Sequence, residues 1–211
     1  MHTVPGHQIP AALARFGVEL NPEQTDKIQA YLDLLLRWNR RMNLTSIREP
    51  DAILSRHFGE SLYLTRVVSL SRELVVDVGT GAGFPALPLK IIWPELRIVL
   101  VESVGKKVVF LKEVIRTLGL DKVEIQHIRF EPLARQWTHG PADIVTSRAV
   151  GNHETLAESG ARILGAGGKL ILYLGRKDAE AVVRKVTLFR WQDCRLLPTS
   201  RERVILLGTK G

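Results

Sequence analysis

Asp77, Gly79, Gly81 and Gly83 alternate within VDVGTGAGFPALPL (76–89), and Glu102 follows 25 positions after Asp77. Glycine reaches backbone angles closed to other residues and lets a ligand touch the main chain. One glycine is enough for a tight strand-to-helix turn; three in alternation ask for a ligand. The phosphate-binding P-loop needs a lysine and a hydroxyl that this stretch lacks. The dinucleotide fingerprint G-x-G-x-x-G needs glycine at 84, where Phe84 stands. The pattern D-x-G-x-G-x-G leaves less room for a pyrophosphate and suits a smaller ligand.

Such a loop works only where a strand delivers it. LVVDV (74–78) is a short β-branched run of the kind buried in parallel sheets. LRIVLVE (96–102), KVEIQHI (122–128), ADIVTS (142–147) and GKLILYLG (168–175) read as four more strands. Helical stretches lie between them. Val108, Leu111, Ile115 and Leu118 form one apolar stripe, closed by Gly119, and NHETLAESGARIL is expected to stop at the GAGG of 165–168. This alternation predicts βαβ units and a parallel sheet. WQDCRLLP and RERVILLGTK, few residues apart, predict an antiparallel hairpin at the last edge. Residues 1–70 read as a helical extension. Asn21 caps a helix that has Pro22 in its first position, and Ile28, Leu32, Leu35 and Trp38 recur at helical spacing. A polar break, NRRMNLTSIREPD, precedes a second helical stretch from about Ile53 to Val68. The expected fold is α/β: a seven-stranded, mostly parallel sheet over residues 71–211 behind that extension. In it, the glycine loop opens at the C-terminal edge of the sheet, where ligands bind. Glu102 ends the next strand, where a carboxylate accepts hydrogen bonds from both ribose hydroxyls. S-adenosylmethionine fits this pair best, since its amino acid end can lie along the glycines and no phosphate need be bound.

At 211 residues, with 45% hydrophobic and 25% charged, the chain has an ordinary globular composition. It contains no apolar run long enough to span a bilayer, and MHTVPGHQIP lacks a signal pattern, so a cytoplasmic location is expected. The single cysteine, Cys194, reads as a buried, inert thiol in a strand. Thirty Lys and Arg against 22 Asp and Glu give a net charge of +8, which favours a polyanionic partner, nucleic acid first. A scattered solubility charge is the plain alternative. The positions are clustered, however: Arg37, Arg40, Arg41, Arg48 and Arg56 crowd one region, and Lys106 and Lys107 are adjacent.

Beyond the loop, the chain resembles the bacterial 16S ribosomal RNA 7-methylguanosine methyltransferases, also called glucose-inhibited division protein B. The resemblance rests on WNRRMNLTSI (38–47), RHFGESL (56–62), VDVGTGAGFPALPL (76–89), LVESVGKKVVFLKEV (100–114) and SRAV (147–150), which stand in family order. It implies a Rossmann-like class I methyltransferase fold and S-adenosylmethionine as cofactor. The substrate it implies is N7 of a guanine in the decoding-region loop of 16S rRNA, methylated by direct SN2 transfer, free or within the assembling small subunit. The cofactor would be held at Gly79 and Phe84, at the pair Phe130–Glu131, and at Arg148, beside Gly81, Gly83 and Glu102. Phe130 replaces a small or aliphatic residue. Leu174 stands where the family carries lysine, leaving Arg176 or Lys177 as replacements, or no contact there. Arg56, His57, Lys106 and Lys107 are the candidates for RNA. Each also has a bland reading: a capped core histidine for His57, a solvated helical turn for the lysines, a carboxylate partner for Arg148. Guanine N7 carries a lone pair and no proton, so no catalytic acid or base is expected, and no metal. The competing classes are a dehydrogenase, a methyltransferase of small molecules or proteins, and a non-enzymatic RNA-binding protein.

Overall fold

The structure is a computed structural model and describes residues 6–148 and 151–211. Ala149 and Val150 of the SRAV motif lie outside the described residues. A 3-10 turn (Gly6–Gln8) leads into α1 (Ile9–Ala14), and α2 runs from Pro22 to Met42. The start of α2 is sealed by a capping box: Asn21 Oδ1 accepts the Gln24 N–H at 2.8 Å, and Gln24 Oε1 accepts the Asn21 N–H at 3.0 Å. Asn43, at φ 47°, ends it in the left-handed conformation. The second helical stretch is not one regular helix. It comprises α3 (Pro50–Ile53), a π-helical turn (Leu54–Gly59), α4 (Glu60–Leu62) and a 3-10 turn (Tyr63–Arg66). π-turns are rare and concentrate at functional sites. Among the described residues no helix is long and apolar enough to cross a membrane.

From Leu74 the chain alternates: β1 (Leu74–Val78), α5 (Ala86–Ile92), β2 (Arg97–Val101), α6 (Gly105–Leu118), β3 (Val123–Gln126), α7 (Phe130–Arg135), β4 (Ala142–Ser147), α8 (His153–Ile163), β5 (Leu164–Gly175) and α9 (Arg176–Lys185). The chain ends in β6 (Phe189–Trp191), β7 (Arg195–Leu196) and β8 (Arg203–Lys210). The sheet order is β3-β2-β1-β4-β5-β8-β6, with β7 also paired to β8. Pairings from β3 through β5 are parallel; β8 runs antiparallel to β5, β6 and β7.

Side chains of β1 alternate between two cores. Val75 joins Ile98, Leu100 and Ile144 against α1, α2, α5 and α6, while Leu74, Val76 and Val78 join Val99, Val101 and Val145 against α7, α8 and α9. All five residues of β1 are buried, and each apolar side chain so placed contributes about 1.5–3 kcal/mol. The N-terminal helices therefore share one continuous core with the sheet.

Three expectations change. The sheet has eight strands, because the first limb of the expected hairpin breaks into β6 and β7. The GAGG of 165–168 does not follow α8 as a loop but lies inside β5. The register there jumps from the Ala142–Leu164 pair to the Ile144–Lys169 pair, and Gly167, at φ 73°, absorbs the irregularity. Cys194 is exposed, because β6 ends at Trp191 and leaves Gln192–Cys194 in an edge loop; partial burial raises its thiol pKa, with Arg176 opposing.

Candidate active site

At the end of β1 the chain turns on Gly79 (φ 64°), Gly81 (φ 63°) and Gly83 (φ 94°), all in the region that penalises side chains. The turn is fixed by Gly79 N–H and Thr80 N–H to Val101 O at 2.9 and 3.2 Å, and by Gly83 N–H and Phe84 N–H to Thr80 O at 2.9 and 3.1 Å. Beneath it Asp77 is fully buried. Its Oδ2 accepts the Thr80 hydroxyl at 2.6 Å, and its Oδ1 has no partner. Burial pushes the Asp77 carboxyl up to about 7, against the lowering pull of Thr80, the Ala86 backbone and Arg148.

Glu102 sits just past β2, 5% exposed. Its two carboxylate oxygens accept the Gly81 N–H at 3.0 Å and the Val104 N–H at 2.8 Å. A carboxylate offers about four acceptor positions, so each oxygen retains one. A cleft of ≈ 210 Å³ opens beside it, lined among others by Gly79, Glu102, Ser103, Ile128, Phe130 and Glu131. Phe130 is almost wholly buried and belongs to the core under α7, whereas Glu131, next along the helix, is half-buried. The glycine loop, the end of β2 and the start of α7 thus meet at one edge of the sheet.

The other candidates face elsewhere. The Phe84 ring is packed between His57, stacked at 4.8 Å, and Tyr31, stacked at 5.3 Å, on the helical side. A Cβ on Gly83 would lie 2.4 Å from Tyr31 Oη and 2.6 Å from Leu87 Cδ1, so this glycine makes room for the helix α2. A Cβ on Gly81 would meet only Gly79 O, at 3.8 Å. Arg148 turns its guanidinium into the π-turn. It donates to Arg56 O at 2.8 Å, His57 O at 3.3 Å and Ser61 Oγ at 3.0 Å, and pairs with Glu60 at 3.3 Å. Leu174 is buried in the core, and Arg176 and Lys177 open α9 on the surface.

His57 donates or accepts with Thr45 Oγ1 at 2.8 Å through Nε2. Burial, with Arg148 and Arg56 nearby, lowers its pKa to about 3, so the ring is neutral and brings no positive charge to a phosphate. Arg56 is exposed, with Nε 3.4 Å from Glu60. Lys106 is exposed on the first turn of α6, while Lys107 leans inward to 3.9 Å from Glu102. Among the described residues no group of three or more His, Cys, Asp or Glu is arranged to hold a metal ion.

Sequence reasoning passed over Tyr31 and Glu60. Tyr31 is fully buried inside the α2 stripe and donates its hydroxyl to Ala82 O in the glycine loop. A tyrosine on an apolar helix face needs such a partner, and that was the available signal. Glu60 is 1% exposed and pairs with Arg56, Arg148 and Arg203. Nothing in its neighbourhood of the sequence points to two partners about ninety and 143 positions away.

The family described as GidB, rRNA small subunit methyltransferase G, matches residues 24–199. The Ribosomal RNA small subunit methyltransferase G of Desulfitobacterium hafniense is 42% identical over 170 residues, spanning 80% of this chain and 70% of that protein. The protein of the same name from Chloroflexus aggregans is 41% identical over 168 residues, spanning 79% and 71%. Among solved structures, a SAM dependent methyltransferase from Aquifex aeolicus superposes with a TM-score of 0.63 at 14% identity, covering 80% of this chain and 97% of that one. The fold is that of the Rossmann-like methyltransferases.

Proposed function

The chain belongs to the rRNA small subunit methyltransferase G family, and from that premise we propose that it methylates N7 of a guanine in the decoding-region loop of 16S rRNA, using S-adenosylmethionine, in the cytoplasm. The observation that carries this reading is Glu102: a buried carboxylate, fixed by two backbone N–H groups at the mouth of a glycine loop, with an acceptor position left on each oxygen. That is the arrangement a ribose diol requires. The residues fit the cofactor in a second respect. Gly81 has nothing but a carbonyl oxygen within 4 Å of where a side chain would start, so a ligand can lie against the backbone.

In this reading Gly79 and Gly81 receive the amino acid end, Glu102 the ribose, and Phe130 with Glu131 the adenine edge. Gly83 and Phe84 act from behind, through their packing on Tyr31. Arg148 acts through the π-turn, whose carbonyls it holds. When bound, S-adenosylmethionine supplies an electrophilic methyl carbon. Guanine N7 has a lone pair and no proton, so the chain needs no residue to take one. Its work is orientation, which can lower a barrier by roughly 7–11 kcal/mol. The domain of residues 71–211 carries this chemistry, and Tyr31 of α2 and His57 of the π-turn, both in the helical extension, brace the loop from one side. For RNA contact we retain exposed Arg56 and Lys106 at the rim, with Lys107 positioned against Glu102 and His57 in packing.

The test is transfer of labelled methyl to 16S rRNA, followed by borohydride reduction and aniline cleavage. N7 methylation makes the ring cationic and sensitises the glycosidic bond, so one cut at one guanine is expected. Incorporation without a cut places the methyl on another atom and overturns the substrate atom.

A further inference from the structure

The end of α2 carries a feature that the cleft does not use. Arg37, Trp38, Arg40, Arg41 and Met42 line a groove of ≈ 500 Å³, and no carboxylate lines it. That volume is within the range of about 300–1,000 Å³ typical of ligand sites. Arg37 and Arg41 are exposed, and among the described residues neither makes a salt bridge. Basic residues in a last helical turn complement the helix dipole, which accounts for Arg40 and Arg41. Arg37 lies a turn earlier, where its charge adds to the hydrogen bond and charge of Arg116 in lowering the pKa of the Glu113 carboxyl of α6. Trp38 is half-buried and held edge-on by Phe110 of α6, centroids 5.6 Å apart at 62°, so its ring is already fixed in place.

The groove is mechanically joined to the glycine loop. Asn39 accepts the Thr45 N–H at 2.9 Å and donates to Ile47 O at 3.3 Å. Thr45 bonds His57 at 2.8 Å, and His57 stacks on Phe84 at 4.8 Å. Three contacts therefore run from Asn39 of α2 to the residue that follows Gly83.

We propose that this groove binds a single-stranded segment of the RNA substrate flanking the methylated guanine, with a base against Trp38 and phosphates against Arg37 and Arg41. The proposal rests on the proposed function for the identity of the RNA. An aromatic face set among arginines suits an unstacked base, and every base has a π-face. A double helix keeps its bases stacked and presents mainly phosphates and 2′-hydroxyls, which would leave Trp38 without a role. The net charge of +8 favours the same class of partner.

The test compares wild type with the double variant Arg37→Gln, Arg41→Gln, which keeps a polar side chain at each position and removes two charges. Binding of 16S rRNA, and of a single strand of about 12 nucleotides, a length inside the site sizes of single-strand binders, is followed over a salt series. The log–log salt slope should fall by roughly 1.4, about 0.7 for each phosphate contact. The Michaelis constant for RNA should rise, while S-adenosylmethionine affinity by calorimetry stays at the wild-type value. Trp38→Phe, which keeps the packing on Phe110, should lose the fluorescence quenching that the single strand causes in wild type. An unchanged slope and RNA affinity in the double variant overturn the proposal. So does equal competition by a duplex of the same length, or tighter binding of polyglutamate than of the RNA strand, which would make the groove a protein-docking site. Methyl transfer by wild type is measured alongside. Absent transfer counts against the proposed function, whereas normal transfer with an unaltered slope counts against the groove alone.

Discussion

Gly81 and Gly83 are two residues apart in one loop, yet the structure gives them different work, and alanine separates the two. At Gly83 a Cβ would lie 2.4 Å from Tyr31 Oη and 2.6 Å from Leu87 Cδ1, far inside contact distance. Tyr31 cannot simply swing away: it is fully buried, bonds Ala82 O and stacks on Phe84. Overpacking of this kind costs about 1–3 kcal/mol, and a side chain in the left-handed region adds about 1–2 kcal/mol. Gly83→Ala is therefore expected to destabilise by roughly 2–5 kcal/mol, a melting point lower by roughly 4–20 °C for a chain of this size. At Gly81 the Cβ meets only Gly79 O at 3.8 Å, so the strain of about 1–2 kcal/mol stands alone, a fall of about 2–8 °C. The Gly81 methyl instead projects into the open space over the loop where the cofactor is proposed to lie, and should weaken S-adenosylmethionine by about tenfold, or 1.4 kcal/mol. Differential scanning calorimetry and isothermal titration of the two variants give the comparison. The reasoning fails if Gly83→Ala melts no lower than Gly81→Ala, or if it loses cofactor affinity at wild-type stability.

Glu102→Ala removes the acceptor for two backbone N–H groups and for the ribose; hydrogen bonds to charged groups are worth about 1.5–3 kcal/mol each, so cofactor affinity should drop at least about tenfold, and an unchanged dissociation constant would take Glu102 out of the site. Glu60→Gln leaves Arg148 and Arg203 facing a neutral amide, and loss of a buried pair costs about 3–5 kcal/mol, visible as a lower urea midpoint; a midpoint equal to wild type would make the cluster ornamental. His57 and Asp77 set opposite pH dependences. The folded state holds His57 near 3 against an ordinary 6.5, so its contribution is complete above pH 6.5 and is lost as pH falls, by about 2 kcal/mol at pH 5. Asp77, raised from 3.8 to about 7, favours the folded state at low pH and disfavours it as pH rises through 7. His57→Gln should therefore gain stability relative to wild type on going from pH 7.5 to 5, and a difference independent of pH in denaturation curves would refute the buried neutral histidine.

What could be read from the sequence was local. The β-branched run 74–78 and the run 142–147 are strands with those bounds, because period and residue type act over a few positions. Asn21 and Gln24 cap α2 because three residues suffice to close a capping box. Positive φ at Gly79 and Gly81 and a carboxylate at the end of the next strand follow from one βαβ unit, since adjacent parallel strands end at the same edge. What only the tertiary structure decided was direction. Phe84 follows the glycines in sequence, yet its ring faces α2, because Tyr31, 53 residues earlier, is placed to stack on it. Arg148 follows β4 at the ligand edge, yet its guanidinium is drawn to the Arg56 and His57 carbonyls of a π-turn about ninety residues away. The exposure of Cys194 followed from where β6 stops against β8. Side-chain direction in a loop depends on which buried group still lacks a partner, and those partners are assembled by packing between distant segments, not by the spacing of neighbours.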